Sequence, residues 1–227
     1  MCLRRRSITG KKKVNTDENY QVPRGHGLRR GVPGLRELCR RCALLHQGQS
    51  RRQDLRTRML RQGYRRADEG FDGVDIVVGS AGVALGQGKI ADSDPELWRK
   101  TIEINLIGAY HTAHAAIPYL RRRGGGKIIM IGSGHRKRPR AGYSAYSCSK
   151  SGLWMLIESL AVELQEDNIS VNELIPGPVR TEMTRGLAPM ADEWVKEPED
   201  VAPIALFLAG LPNRGPSAQS FSLMRRA

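Results

Sequence analysis

After residue 73, short aliphatic runs alternate with stretches of helical period, and this alternation is the feature that most constrains the fold. The runs are residues 74–78, 127–131, 169–175 and 219–223. A stretch that follows Tyr143 and another at 199–208 carry apolar residues at helical spacing. Strands that alternate with helices form a parallel sheet that is covered on both faces. The pattern therefore predicts an α/β fold with a doubly wound parallel sheet.

The sequence Asp94-Pro95-Glu96 predicts the start of a further helix. Aspartate is a favoured residue just before a helix, because its side chain accepts hydrogen bonds from the first free N–H groups. Proline is tolerated at the first helical position, where no N–H partner is lost. An acid in the first turn adds to the signal.

The first 70 residues have a different character. Apolar residues are sparse, arginines recur in pairs such as Arg29-Arg30 and Arg65-Arg66, and most of the net charge of +14 lies here. Only residues 35–47 favour a short helix. An arm of this kind can attract polyanions without specificity. We favour a disordered or mistranslated tail over a nucleic-acid-binding arm, and therefore predict no nucleic-acid partner.

The four cysteines are too few for a disulfide scaffold in a chain of 227 residues. Cys39 and Cys42 form a C-x-x-C pair near His46, but a fourth zinc ligand would have to be His26 or Cys2, and no strand precedes the pair as in a redox motif. We therefore predict no metal.

No apolar run approaches the roughly 18 residues of a membrane helix. We predict no membrane partner and a cytoplasmic location.

Tyr146 and Lys150 lie four residues apart near the start of a predicted helix, so that their side chains share one face. A fixed ammonium beside a tyrosine favours the phenolate, so the pKa of Tyr146 is expected to fall. Such a tyrosine can exchange a proton with a carbonyl or alcohol oxygen at neutral pH. Ser133 ends the preceding strand, where α/β sheets present their ligand groups. Together, these residues predict proton transfer at a substrate oxygen.

Five motifs stand in a fixed order along the chain. They are D-I-V-V-G-S-A-G at 75–82, Asn105, I-G-S at 131–133, Y-S-C-S-K at 146–150 and P-G-P-V-R-T at 176–181. In this order and at this spacing they resemble the short-chain dehydrogenase/reductase family, and in particular its 3-oxoacyl carrier-protein reductases. The resemblance implies a Rossmann-like fold over the last two thirds of the chain.

The resemblance also implies an NAD(P)-dependent oxidoreductase that transfers hydride between nicotinamide and a small carbonyl or alcohol substrate. Tyr146 is then the general acid/base, and Ser133 orients the substrate oxygen. Lys150 lowers the pKa of Tyr146 and binds the nicotinamide ribose, while Asn105 completes a proton relay. The cofactor-binding residues it implies are Ser80, Ala81, Gly82, Asn105, Tyr146, Lys150, Pro176, Gly177, Val179 and Thr181. NAD and NADP remain equal alternatives, and the family implies a homo-oligomer.

The family's first strand and its T-G-x-x-x-G-x-G loop are not recognisable here. Thr9-Gly10 is the only trace, and Val14 and Thr16 stand where glycines are expected. Those glycines let the backbone approach the cofactor pyrophosphate. We therefore divide the chain into 1–70, an irregular Arg-rich segment that replaces the N-terminal half of the Rossmann fold, and 71–227, the catalytic portion. The first three strands are then missing or disordered.

The departure leaves two questions open. Residues 11–70 are interpreted as translated in a wrong frame, with a real but diverged Arg-rich extension as the alternative. Without the family's first strand, the apolar strand at 76–78 is expected to become an exposed edge. A chain with a defective cofactor half can instead be a catalytically impaired relative that acts as a binding or scaffold protein, and this is the alternative to the enzyme.

Overall fold

The computed structural model describes residues 42–44, 53–71, 73–185 and 194–224. All of them belong to Pro33–Ala227, one of the two units into which the chain divides. The strands of this part are β1 (Cys42–Leu44), β2 (Ile76–Gly79), β3 (Gly126–Ile131), β4 (Ile169–Ile175) and β5 (Ser220–Ser222).

These strands form one parallel sheet in the order β1-β2-β3-β4-β5. Ile76 pairs with Lys127 in the register of β2 and β3, and Gly126 pairs with Ile169 in that of β3 and β4. All carboxyl ends therefore lie at one edge of the sheet. The predicted parallel α/β architecture is confirmed.

The helices alternate with the strands along the chain. They are α1 (Gln53–Phe71), α2 (Pro95–Ile102), α3 (Gly108–Arg122), α4 (Ser144–Glu163) and α5 (Ala202–Gly210). The predicted start of α2 is confirmed, because Asp94 Oδ1 accepts hydrogen bonds from the N–H groups of Glu96 (2.8 Å) and Leu97 (3.2 Å). The stretch at 199–208 begins as a 3₁₀ turn, Pro198–Val201, before α5.

Apolar side chains cover both faces of the sheet. Successive strand residues point to opposite faces, so neighbours on one strand fall into different clusters. One cluster joins the strands to α1, α3 and α4, and includes Tyr64, Val77, Leu120, Ile128, Leu153, Ile157 and Val171. The other joins them to α5, and includes Ile76, Ile129, Leu174 and Leu208. The fold is therefore doubly wound, as predicted.

Three expectations about the N-terminal part and its effect on the sheet are wrong where the structure describes these residues. Cys42–Leu44 forms a strand, although residues 35–47 favoured a helix, and it pairs with β2 in parallel. Strand β2 is consequently covered by β1 and is not the exposed edge that we expected. Residues 53–70 lie in α1, so this stretch is not irregular. The buried Leu60 and Tyr64 show that α1 joins the core.

Other expectations about the N-terminal part lie outside the described residues. These include the C-x-x-C pair, of which only Cys42 is described, and Thr9-Gly10, the trace of the glycine loop. Within the described part, no group of three or more potential ligands could hold a metal ion. None of the described helices is both long and apolar enough to cross a membrane.

Candidate active site

Three of the predicted catalytic residues meet beyond the carboxyl end of β3. Ser133 lies two residues beyond the end of this strand, and the first turns of α4 carry Tyr146 and Lys150. Ser133 lies close enough to the Tyr146 phenol to lower the pKa of that phenol. Ser133 Oγ also accepts a hydrogen bond from the His135 N–H (3.2 Å), which fixes the turn after the strand. The two hydroxyl-bearing residues therefore lie close together, as transfer of a proton to a shared oxygen requires.

The environment of Tyr146 shifts its acidity in the direction opposite to our expectation. Burial raises the pKa of the Tyr146 phenol, and the neighbouring Ser133 side chain opposes this rise only in part. Burial disfavours the charged phenolate, because less water remains to solvate it. The ammonium of Lys150 lies 5.8 Å from the centroid of the ring. The phenol thus stays protonated at neutral pH and is arranged as a proton donor.

Lys150 is buried, and its position is fixed by the strand next to it. Its Nζ donates a hydrogen bond to the Ile131 carbonyl (2.7 Å), and only 4% of the residue is exposed. Burial lowers the pKa of Lys150 to about 8, while the negative charge of Glu173 acts to raise it. A lysine with this pKa changes its charge close to physiological pH, which makes it a candidate for a functional group.

Asn105 lies in a single π-helical turn, Glu103–Ile107, between α2 and α3. Its Nδ2 donates hydrogen bonds to the Val83 carbonyl (2.9 Å) and to Ser149 Oγ (2.9 Å), while its Oδ1 accepts one from the Val83 N–H (2.8 Å). Ser149 Oγ in turn donates to the Tyr146 carbonyl (2.7 Å). Asn105 therefore joins the loop after β2 to the helix turn that carries Tyr146. Such π turns are frequent at functional sites.

The predicted cofactor residues follow two strands at the same edge of the sheet. Ser80, Ala81 and Gly82 come directly after β2. A Cβ atom on Gly82 would lie 3.6 Å from Asn105 Oδ1 and 3.7 Å from Lys150 Nζ. Gly82 therefore lies beside Lys150 and leaves room next to its ammonium.

The other predicted cofactor residues follow β4, the next strand of the sheet. Gly177 has a φ of 70°, which favours glycine, in the turn Pro176-Gly177. Val179 forms a β-bridge with Lys196, and its carbonyl accepts a hydrogen bond from Thr184 Oγ1 (2.6 Å). The same Thr184 hydroxyl accepts a hydrogen bond from the Thr181 N–H (2.9 Å). The loop after β4 thus has a defined shape at the open edge of the sheet.

A family model described as short chain dehydrogenase matches residues 50–192. The chain belongs to the short-chain dehydrogenase family. The human dehydrogenase/reductase SDR family member 4 is 37% identical over 147 residues, which are 60% of this chain and 53% of that protein. The D-beta-hydroxybutyrate dehydrogenase of Rhizobium meliloti (strain 1021) is 34% identical over 163 residues, 62% of each chain. The chain therefore spans about half to three fifths of these curated relatives.

A solved structure supports the fold assignment. The structure of a short-chain type dehydrogenase/reductase from Mycobacterium ulcerans superposes with a TM-score of 0.68 at 24% identity, covering 74% of this chain and 65% of the other.

The family match also corrects one interpretation of the N-terminal part. Because it begins at residue 50, residues 50–70 are not a stretch read in a wrong frame.

The residues around Tyr146 fit the nicotinamide half of the family's cofactor. Gly82 leaves a space beside Lys150 and Asn105 that the side chain of any other residue would fill. The Lys150 ammonium has a single carbonyl partner among the hydrogen bonds described for it, so it can donate further hydrogen bonds to ribose hydroxyls. The family's pyrophosphate loop is expected in the N-terminal part, which lies outside the described residues.

Sequence reasoning missed the walls of the cleft next to Tyr146. Residues 84–87, Gly142, Tyr143 and Ala145 line it together with Tyr146. The His135 ring also packs edge-on against Tyr146, with the ring centroids 5.2 Å apart. These residues are mostly small or apolar, and small apolar loop residues carry no catalytic signal in a sequence.

Sequence reasoning also missed a buried ion pair beneath the site. Glu173 of β4 and Arg136 of the turn after Ser133 are both buried, with a distance of 3.0 Å between Arg136 Nε and Glu173 Oε2. A signal was available, because Glu173 is an acid within the otherwise aliphatic end of a strand predicted to be buried on both faces. Acids are almost never fully buried unless they are paired.

Proposed function

We propose that this chain is an NAD(P)-dependent oxidoreductase that transfers hydride between nicotinamide and a carbonyl or alcohol substrate. One observation carries the proposal: the Tyr146 phenol lies close to both Ser133 and the buried Lys150, in a chain of the short-chain dehydrogenase family. The name of the Rhizobium meliloti relative, a hydroxybutyrate dehydrogenase, supports a substrate with an alcohol or carbonyl group. The choice between NAD and NADP, self-association into a homo-oligomer and a cytoplasmic location stay predictions.

The residues of the chain have distinct roles in this proposal. Ser133 Oγ and the Tyr146 hydroxyl both hydrogen-bond to the substrate oxygen, which fixes the carbonyl in the cleft beside residues 84–87. When bound, the nicotinamide supplies or accepts the hydride. During reduction, Tyr146 donates its proton to the substrate oxygen. The Lys150 ammonium stabilises the phenolate that remains, because opposite charges attract strongly in a buried site.

Asn105 and Ser149 hold the loop after β2 and the start of α4 in fixed relative positions. They connect the Val83 backbone to the Tyr146 carbonyl through three consecutive hydrogen bonds of 2.7 to 2.9 Å. A misplacement of about 1 Å at the reacting atoms costs on the order of a hundredfold in rate. The loop after β2 and the start of α4 therefore hold the two sides of the site at a fixed distance.

Deuterium transfer tests the proposal directly. The chain is incubated with NADH or NADPH deuterated at C4 and with a panel of ketones and aldehydes, at millimolar cofactor to compensate for weak binding. We expect mass spectrometry to find deuterium on the carbinol carbon of at least one product alcohol, and a Tyr146→Phe control to give much less. A chain that binds substrate without any transfer would instead support the scaffold alternative.

The rate of reduction should depend on pH through Lys150. The pKa of Lys150 is about 8, whereas that of Tyr146 is raised above its ordinary value, so the lysine loses its proton first as the pH rises. We expect the reduction rate to be level below this pKa and to fall by about tenfold for each pH unit well above it. Initial rates measured between acidic and alkaline pH give this profile.

Lys150→Arg is the matched control for the pH profile, since a guanidinium keeps its charge at every pH measured. We expect this variant to be slower but to lose the alkaline fall. A parent enzyme whose reduction rate rises through the pKa of Lys150 would show that another group controls the reaction.

A further inference from the structure

Glu173 is a fully buried carboxylate that the proposed mechanism does not use. It lies on β4, the strand between β3 and β5, and 0% of its side chain is exposed. Its Oε2 accepts hydrogen bonds from Arg136 Nε (3.0 Å) and Ser220 Oγ (2.6 Å). Its Oε1 is buried and has no hydrogen-bond partner among the described residues. A buried carboxylate with one oxygen unbonded is costly, so a role beyond packing is worth testing.

The unbonded oxygen lies against the strand end that carries the active site. A Cβ atom on Gly132 would collide with Glu173 Oε1, so only glycine fits at this position. Gly132 stands between Ile131, whose carbonyl holds the Lys150 ammonium, and Ser133. The carboxylate therefore contacts the one residue that separates the anchor of Lys150 from the substrate-binding hydroxyl.

Arg136 is the charged partner of Glu173. The side chain of Arg136 is buried as well, with 8% of it exposed, and its guanidinium lies 4.1 Å from the centroid of the Trp154 ring. A guanidinium cannot lose its proton in a protein, so one oxygen of Glu173 faces a fixed positive charge while the other has no partner among the described residues. The ion pair thus lies beneath the residues of the candidate site.

We propose that Glu173 is a positioning residue that acts through Lys150, keeping this buried lysine protonated while it holds the Ile131 carbonyl. The catalytic meaning of this role rests on the proposed function. The charge of Glu173 raises the pKa of Lys150 against the lowering caused by burial. Without this counter-charge, the ammonium would lose its proton closer to neutral pH, and the Tyr146 phenolate would lose its stabilising partner.

Other ionisable groups surround the same helix. The elements packed against α4 carry Glu96, Arg99 and Lys100 on α2, Glu103 in the π turn, His135 and Arg136 in the turn after Ser133, and Glu173 on β4. Helix α4 itself carries Tyr146, Cys148, Glu158 and Glu163. Among these groups, only Glu173 contributes a charge effect to the shifted pKa of Lys150. Glu96 and Glu103 both form ion pairs with Arg99.

The test is a direct titration of Lys150 by NMR in the full chain, following its side-chain Cε–Hε signal, which is assigned by its loss in Lys150→Arg. We expect a midpoint near 8 in the parent protein. In Glu173→Gln the midpoint should fall by roughly one pH unit. Glu173→Asp, which retains the charge, should restore most of the parent value. Ser220→Ala is the matched control, since it removes one hydrogen bond to the same oxygen and no charge.

A purely structural ion pair predicts a different result. It would lower the free energy of unfolding in Glu173→Gln and leave the Lys150 midpoint unchanged, which would overturn the proposal. If Glu173→Gln does not fold, the double variant Glu173→Gln/Arg136→Met removes both buried charges together and leaves neither unpaired. Its Lys150 midpoint must lie below that of Arg136→Met, which keeps the Glu173 carboxyl group, and equal midpoints in these two variants overturn the proposal. Because the titration needs neither cofactor nor turnover, its outcome is independent of whether the chain transfers hydride.

Discussion

Replacement of Tyr146 by phenylalanine is expected to reduce the rate of carbonyl reduction about 10²- to 10⁴-fold, the usual contribution of a positioned proton donor. The phenol lies close to Ser133, and its raised pKa keeps it protonated at neutral pH. Phenylalanine retains the ring that packs edge-on against His135, so the cleft should keep its shape. The substitution therefore removes the proton and little else.

Steady-state oxidation of NADH or NADPH by a ketone substrate measures this loss, with cofactor binding followed separately by fluorescence. Tyr143→Phe is the matched control, because Tyr143 lines the same cleft and its ring also packs against His135. We expect Tyr143→Phe to change the rate by less than about tenfold, and cofactor binding to stay nearly constant in both variants. Equal rates in the Tyr146→Phe and parent proteins would exclude the proposed role of Tyr146.

The sequence was informative wherever a local pattern had a single physical interpretation. The run at 169–175 is aliphatic at most positions and ends at Pro176-Gly177, so its identification as a strand was correct to the residue. Asp94 before a proline left few alternatives to a helix start, and its side chain caps α2 as predicted. Ser133 lies just beyond β3 and Tyr146 in the first turn of α4, and Ser133 is close enough to lower the pKa of the Tyr146 phenol, as the spacing of the two residues predicted.

Features that depend on tertiary contacts could not be predicted from local sequence patterns. The chain at 42–44 has no strand signature of its own, yet it pairs with the apolar strand β2. The π turn around Asn105 depends on bonds to Val83 and Ser149, which are distant in sequence. The pKa of Tyr146 was expected to fall beside Lys150, but burial has the larger effect and raises it. Burial is a property of the fold, and helix spacing does not reveal it.

The second large effect concerns the N-terminal part. We expect that replacing residues 1–52 with a family N-terminus that carries T-G-x-x-x-G-x-G will raise the affinity for NAD(P)H and the rate of reduction, by on the order of a hundredfold. No such motif is recognisable in the sequence of residues 1–52, whereas the family match begins at residue 50 and α1 at Gln53. The glycines let backbone N–H groups hold the pyrophosphate, which fixes the nicotinamide against Tyr146.

Fluorescence titration and steady-state rates compare the grafted and unmodified chains. The matched control carries the same graft with valines in place of the loop glycines, and we expect it to bind NAD(P)H as weakly as the unmodified chain, because valine side chains block the approach of the pyrophosphate. Lys150→Ala in the grafted protein should weaken both cofactor binding and reduction, since Lys150 lies beside Gly82 as well as Tyr146. If the unmodified chain already binds NAD(P)H with micromolar affinity, then its own Arg-rich segment holds the phosphates by other means.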